Sequence, residues 1–150
     1  MTYHRVVNGV QVALTPQEIE EHENRIAALE AANAARVKPD KLAELAALRW
    51  RKETGGMTFG GMAVSTDPVS QTKILGALVG AQIDPNAVIK WKMADGTFVT
   101  LDAQAITAVA MAVRGHVQAC FDREAVLKEE VEAATTAEEV GAVDLNTDWP

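Results

Sequence analysis

The sequence predicts an α+β chain in which three short β-hairpins are interleaved with helices, the last helix being long and close to the C-terminus. Three observations predict it. Asn8-Gly9, Gly60-Gly61 and Asp95-Gly96 each separate two short runs rich in apolar residues, as hairpin turns do. Thr15-Pro16, Asp67-Pro68 and Asp102 then stand as helix starts directly after those runs. Hydrophobic residues make up 48% of the chain but aromatics only 5%, so alanine carries much of the apolar share. That balance suits helices with narrow, close-packed seams.

The first hairpin is expected over Tyr3 to Leu14, with Tyr3, Arg5, Val7, Val10, Val12 and Leu14 on one face. Thr15, Pro16 and Glu18 supply a cap, a first-turn proline and a capping-box carboxylate. The helix they open is expected to reach about Arg36, with Ile19, Ile26, Leu29 and Asn33 at heptad spacing and His22 completing the seam. Lys38-Pro39-Asp40 is expected to break it, with a second helix from about Pro39 to Glu53 ended by Gly55-Gly56. The domain boundary is placed there, giving residues 1–48 as a hairpin and helical arm and residues 49–150 as a compact domain with an acidic end.

Within that domain a hairpin around Gly60-Gly61 puts Met57, Phe59, Met62 and Val64 on one face. A helix from Asp67-Pro68 to about Gln82 is expected to bury Ile74, Leu75, Leu78 and Val79. The third hairpin turns about Asp95-Gly96, which sets Ile89, Trp91 and Met93 on one face with Phe98 and Thr100, and Lys90 and Lys92 opposite. Asp102 caps the long helix to about Ala134, whose stripe is Ile106, Val109, Val113, Val117, Cys120, Leu127 and Val131. Thr136 and Glu139 form a second capping box for a short terminal element.

Charge is uneven along the chain. Residues 1–56 hold eight basic and eight acidic side chains, and residues 57–121 hold four of each. The whole net charge of -7 falls in residues 122–150, which argues against nucleic acid as a partner because no basic surface displaces counterions from phosphates. The longest uncharged runs, Ile74 to Ile83 and Ala103 to Val113, are too short to span a bilayer, and the opening MTYHRVVNG does not read as a signal peptide.

Chemistry is sparse. His116 and Cys120, four apart on one helix, could hold a metal or let an imidazole activate a thiol, but no further ligands share the spacing. Their bland reading is a core histidine beside a small apolar cysteine. The glycine pairs lack the Lys-Ser or Lys-Thr of a phosphate loop, and no serine sits on a nucleophile elbow. The expectation is a protein with no catalytic residues, no metal and no cofactor. Trp149, beside the C-terminal proline, is expected to pack back on Val140, Val143 and Leu145 or to enter a partner pocket.

The run Arg49-Trp50-Arg51-Lys52-Glu53-Thr54-Gly55-Gly56, then Thr66-Asp67 with Ser70-Gln71, carries a family resemblance. It continues through Ile89-Lys90-Trp91-Lys92, Asp95-Gly96-Thr97-Phe98 and the block His116-Val117-Gln118-Ala119-Cys120-Phe121-Asp122-Arg123-Glu124, and closes on Asp148-Trp149-Pro150. In that order these motifs resemble a domain of unknown function found in tailed-phage and prophage proteins encoded near tail fibres. The resemblance implies a tail-fibre assembly protein or a small tail-tip component, made in the host bacterial cytoplasm and retained there or in the virion tail. It implies a tail fibre or baseplate protein as partner and no catalytic residues. Trp50, Gly55, Gly56, Asp67, Trp91, Asp95, Gly96, Phe98, His116, Gln118 and Phe121 are its structural motif. Ile19, Ile26, Leu29, Asn33 and Trp149 are the partner-binding and homo-oligomer candidates. The alternatives are a small metal- or thiol-dependent enzyme using His116 and Cys120, and an acidic host-directed inhibitor.

Overall fold

A computed structural model describes residues 3–93 and 95–150. It is α+β, with three separate antiparallel strand pairs and, among the described residues, four helices. In chain order these are β1 (His4–Val7), β2 (Val10–Ala13), α1 (Pro16–Thr54), β3 (Met57–Phe59), β4 (Met62–Val64), α2 (Pro68–Ile83), β5 (Val88–Lys92), β6 (Phe98–Asp102), α3 (Ala103–Ala133) and α4 (Ala137–Ala142). No helix among the described residues is long and apolar enough to cross a membrane.

The chain groups into two compact units. One comprises the residues up to Leu42 with Glu130–Val143, and the other comprises Ala43–Glu129 with Asp144–Pro150. The division falls inside α1 a few residues before the expected boundary at residue 48, and the first unit also takes a segment from near the C-terminus.

In the first unit the β1–β2 turn follows from Asn8 and Gly9, whose φ angles of 51° and 82° fit a two-residue turn. Arg5 pairs with Val12 and Val7 with Val10, the expected register. The Arg5–Glu18 ion pair ties the hairpin to α1, as does the Tyr3 ring, edge-on to His22 at 5.2 Å between centroids. Glu18 closes a capping box with Thr15, and those hydrogen bonds, the Thr15 N–H foremost, lower its pKa. The small core of this unit gathers Ala34, Val131 and Val140, with Val37, Leu42, Ala134 and Val143 around them.

The expected break at Lys38-Pro39-Asp40 does not occur: α1 is one helix of 39 residues with Pro39 inside it. A proline there removes one hydrogen bond to the residue four before it and costs about 3 kcal/mol in an isolated helix. The structure shows what offsets this. Ala34, Val37 and Leu42, on both sides of Pro39, pack against Val131 and Val140, and the Lys38 ammonium donates to the Glu132 carbonyl at 2.7 Å. Pro39 and Ala35 face solvent, so water can take the carbonyl that the proline leaves unpaired.

In the second unit Val64, Ile74, Met93, Val109, Ala110 and Val113 form one core cluster, and Ala81, Leu101 and Ile106 form another. Helix α2 buries only Ile74 and Ala81 fully; Leu78 is half-buried, while Leu75 and Val79, expected inside, are exposed. Its inward stripe is narrower than the sequence suggests because Ala81 continues it in place of Val79. The third hairpin is also corrected. Trp91 pairs with Val99 and Ile89 with Leu101, while Lys90 and Lys92 share the outer face with Thr100 and Phe98. The Met93 N–H donates to the Thr97 carbonyl, so the loop carries three residues, and Gly96 at φ 87° takes its left-handed position. The expectation assumed a loop one residue shorter, and a slip of one exchanges the faces.

Replacing Pro39 with alanine restores the missing amide donor in a helix that is already continuous. Pro39→Ala is expected to stabilise the fold by about 1–3 kcal/mol, seen as a higher Tm by differential scanning calorimetry. An unchanged or lower Tm would contradict this account of α1.

Candidate functional site

Trp50, Phe121 and His116 of the motif come together where the C-terminal turns of α1 meet the middle of α3, within the second unit. Leu45 and Leu48 are buried on one side of α1, which brings Arg49 and Glu53 to the same side one and two turns on. The Arg49 guanidinium pairs with Glu53 four residues later and with Glu124 of α3, where Nε donates to Oε2 at 3.2 Å. These side chains are only 17%, 10% and 22% exposed. The same guanidinium lies 4.6 Å from the Phe121 ring centroid and 5.8 Å from that of Trp50. Trp50 itself is half exposed, so it covers the cation more than it fills a core.

A second junction closes the end of α1. Thr66 is fully buried, and its hydroxyl donates to the Glu53 carbonyl at 2.5 Å and accepts from the Gly56 N–H at 2.9 Å. Gly56 has φ 91°, and a Cβ at Gly55 would stand 2.7 Å from the Arg51 carbonyl oxygen, so this Gly-Gly exit is sterically required. Asp67 then caps α2, accepting from the Val69 and Ser70 amides and from the Ser70 hydroxyl. The hydroxyl bond, ahead of the amide bonds, holds its carboxyl below the ordinary value of 3.8.

His116 and Cys120 are adjacent on α3, with the His116 Nε2 3.9 Å from the thiol sulfur. That nitrogen also lies 3.1 Å from the Lys52 carbonyl oxygen, which can only accept, so Nε2 carries the proton and donates it there. Cys120 is fully shielded from solvent, and burial first, then the Glu53 charge, raises its pKa above 9.0. A thiol so placed stays protonated at neutral pH. Among the described residues no group of three or more His, Cys, Asp or Glu side chains gathers around a point where a metal ion could sit.

The remaining motif residues are local. Asp95 accepts from the Thr97 hydroxyl and amide, which lowers its pKa, and so braces the loop containing Gly96. Trp91 packs against both core clusters, and Phe98 is exposed. Gln118 donates to Asp122 at 2.8 Å on the surface of α3. Arg123 reaches the Thr147 carbonyl and hydroxyl, and the Trp149 indole donates to the Leu145 carbonyl at 2.7 Å. Leu145 is buried, so the last residues fold back on the second unit. In the first unit Ile19 is half-buried, Ile26 and Leu29 are 37% and 61% exposed, and Asn33 is exposed.

The model of a family described as a domain of unknown function, DUF4376, matches residues 36–147, about three quarters of the chain. The chain belongs to the DUF4376 family. No curated protein and no solved structure matches it. The DUF4376 match spans both the Arg49 cluster and the Thr66 junction and begins after the seam of Ile19, Ile26, Leu29 and Asn33. Sequence reasoning singled out the neighbours Trp50 and Asp67 but passed over Arg49, Glu53, Glu124 and Thr66 as individual site residues. The four-residue spacing of Arg49 and Glu53 was the available signal.

Removing the one cation leaves two carboxylates sharing a half-buried place. Arg49→Met is therefore expected to destabilise the fold by about 2–3 kcal/mol in urea denaturation, with Glu124→Gln costing less. Equal stability of Arg49→Met and the parent chain would mean that the cluster is not holding α1 to α3.

Proposed function

We propose that this chain is a non-enzymatic accessory of a phage tail, acting in tail-fibre assembly or as a small component attached to the fibre or baseplate. The phage context rests on the order of the sequence motifs. The observation that carries a role in protein contact is the apolar surface that the first unit leaves open. Val6, Val7, Val10 and Val12 of the hairpin and Ile26 and Leu29 of α1 are all exposed. Residues of this type on a two-stranded hairpin and a helix face gain most by association with another protein. The heptad spacing of Ile19, Ile26, Leu29 and Asn33 favours a second copy along α1, with the polar Asn33 setting register. The enclosed, protonated Cys120 fits a structural thiol better than a nucleophile.

The test is co-purification from infected or induced host cells together with mass spectrometry of purified particles. The chain is expected either to be recovered with a fibre or baseplate protein or to be present in particles at fixed stoichiometry. Light scattering is expected to show an oligomer that Ile26→Glu with Leu29→Glu reduces to monomer, with helix content kept because both positions face solvent. Recovery with no tail protein and absence from particles would overturn the assignment, and a monomeric parent chain would overturn the seam.

A further inference from the structure

The second unit carries a basic cleft of about 430 Å3 between the hairpin β3–β4 and the hairpin β5–β6. Ala63, Val64 and Ser65 form one wall, Lys90 to Met93 the other, and Ser70 and Lys73 of α2 line it as well. Residues 57–121 are neutral in composition, but the charges are sorted. Asp67, Asp84, Asp95 and Asp102 each accept hydrogen bonds from neighbouring backbone amides as caps or turn braces. Three of the four cations, Lys73, Lys90 and Lys92, gather at the cleft and form no ion pair or side-chain hydrogen bond among the described residues. No acidic side chain lines the cleft among the described residues, and Asp67, at the start of α2, is engaged by the Val69 and Ser70 amides and the Ser70 hydroxyl.

Both walls are open strand edges. Met93 donates to Thr97, so Met93, Trp91 and Ile89 are the residues that exchange hydrogen bonds with β6. The alternation turns the main-chain N–H and C=O groups of Lys90 and Lys92 away from β6, towards the free edge. The same count from the two-residue Gly60-Gly61 turn turns those of Ala63 away from β3. Neither edge has a partner strand, since each sheet has two strands.

We propose that this cleft takes an extended acidic peptide segment of a partner protein, paired main chain to main chain along the free edge of β5. The register sets the side-chain pattern. Positions on the outer face of the added strand lie beside Lys90 and Lys92 and carry carboxylates, and the positions between them face Trp91 and Met93 and are apolar. Lysines on an edge also discourage pairing between copies. That accounts for Lys90 and Lys92 but not for Lys73, which comes from a helix. The inference concerns the second unit alone and stands apart from the arm and from the phage assignment.

The test uses the full chain and a fluorescent peptide alternating Glu and Val, followed by anisotropy. Saturable binding is expected, weakened about tenfold or more when alternate peptide nitrogens are methylated, and to a similar degree by Lys73→Ala with Lys90→Ala and Lys92→Ala. Amide shifts of the parent chain on adding the peptide are expected at Ser65, Lys90 and Lys92, a readout that does not depend on how the triple variant folds. Absence of saturable binding, equal binding of the methylated peptide, or tighter binding of a single-stranded oligonucleotide of equal charge would overturn the proposal.

Discussion

Arg49 is one guanidinium answering two carboxylates, Glu53 on its own helix and Glu124 on α3, in a place that water reaches only partly. Half-buried charges are costly unless paired, so this arrangement admits few alternatives in how the end of α1 meets α3. Phe121 and Trp50 extend the constraint by presenting ring faces to the same cation. With the end of α1 held there, Thr66 can close its last turn, and the chain leaves through Gly55 and Gly56 into β3. The hairpin β3–β4 and the start of α2 follow from that exit, because Asp67 caps α2 one residue after the buried Thr66 hydroxyl.

The acidic end looks different once folded. Of its nine carboxylates, Glu124 meets Arg49, Asp122 accepts from Gln118, Glu139 completes a capping box and Asp148 lies 3.8 Å from Arg123. The segment is thus a folded part of both units, with α4 in one and the returning Leu145 to Pro150 in the other. The positive counterpart of the chain's charge is the cleft lined by Lys73, Lys90 and Lys92, which are exposed.

Local rules made much of this legible. Asn8-Gly9 and Gly60-Gly61 set both registers that came out as expected, and Asp67, Asp102 and Thr136 each cap a helix through the anticipated hydrogen bonds. The failures have two physical causes: tertiary contacts that no window of sequence contains, and a choice of loop length that the turn residues alone leave open. Packing of Ala34, Val37 and Leu42 carries α1 through Pro39, and a three-residue loop outweighs the two-residue reading of Asp95-Gly96. The Arg49 site was legible only as an i, i+4 pair, because Glu124 joins it from 75 residues away.

The second unit is organised by the junction of Arg49 and Thr66, whereas the arm leaves apolar side chains of its hairpin and early α1 exposed. Native-state hydrogen exchange on the unpartnered full chain addresses this most directly. The account predicts that amides of residues 45–56 and 106–127 exchange only through global unfolding, while those of the β1–β2 hairpin and the first turns of α1 exchange early through local opening. Equal or stronger protection in the hairpin and early α1 than around Arg49 would contradict it.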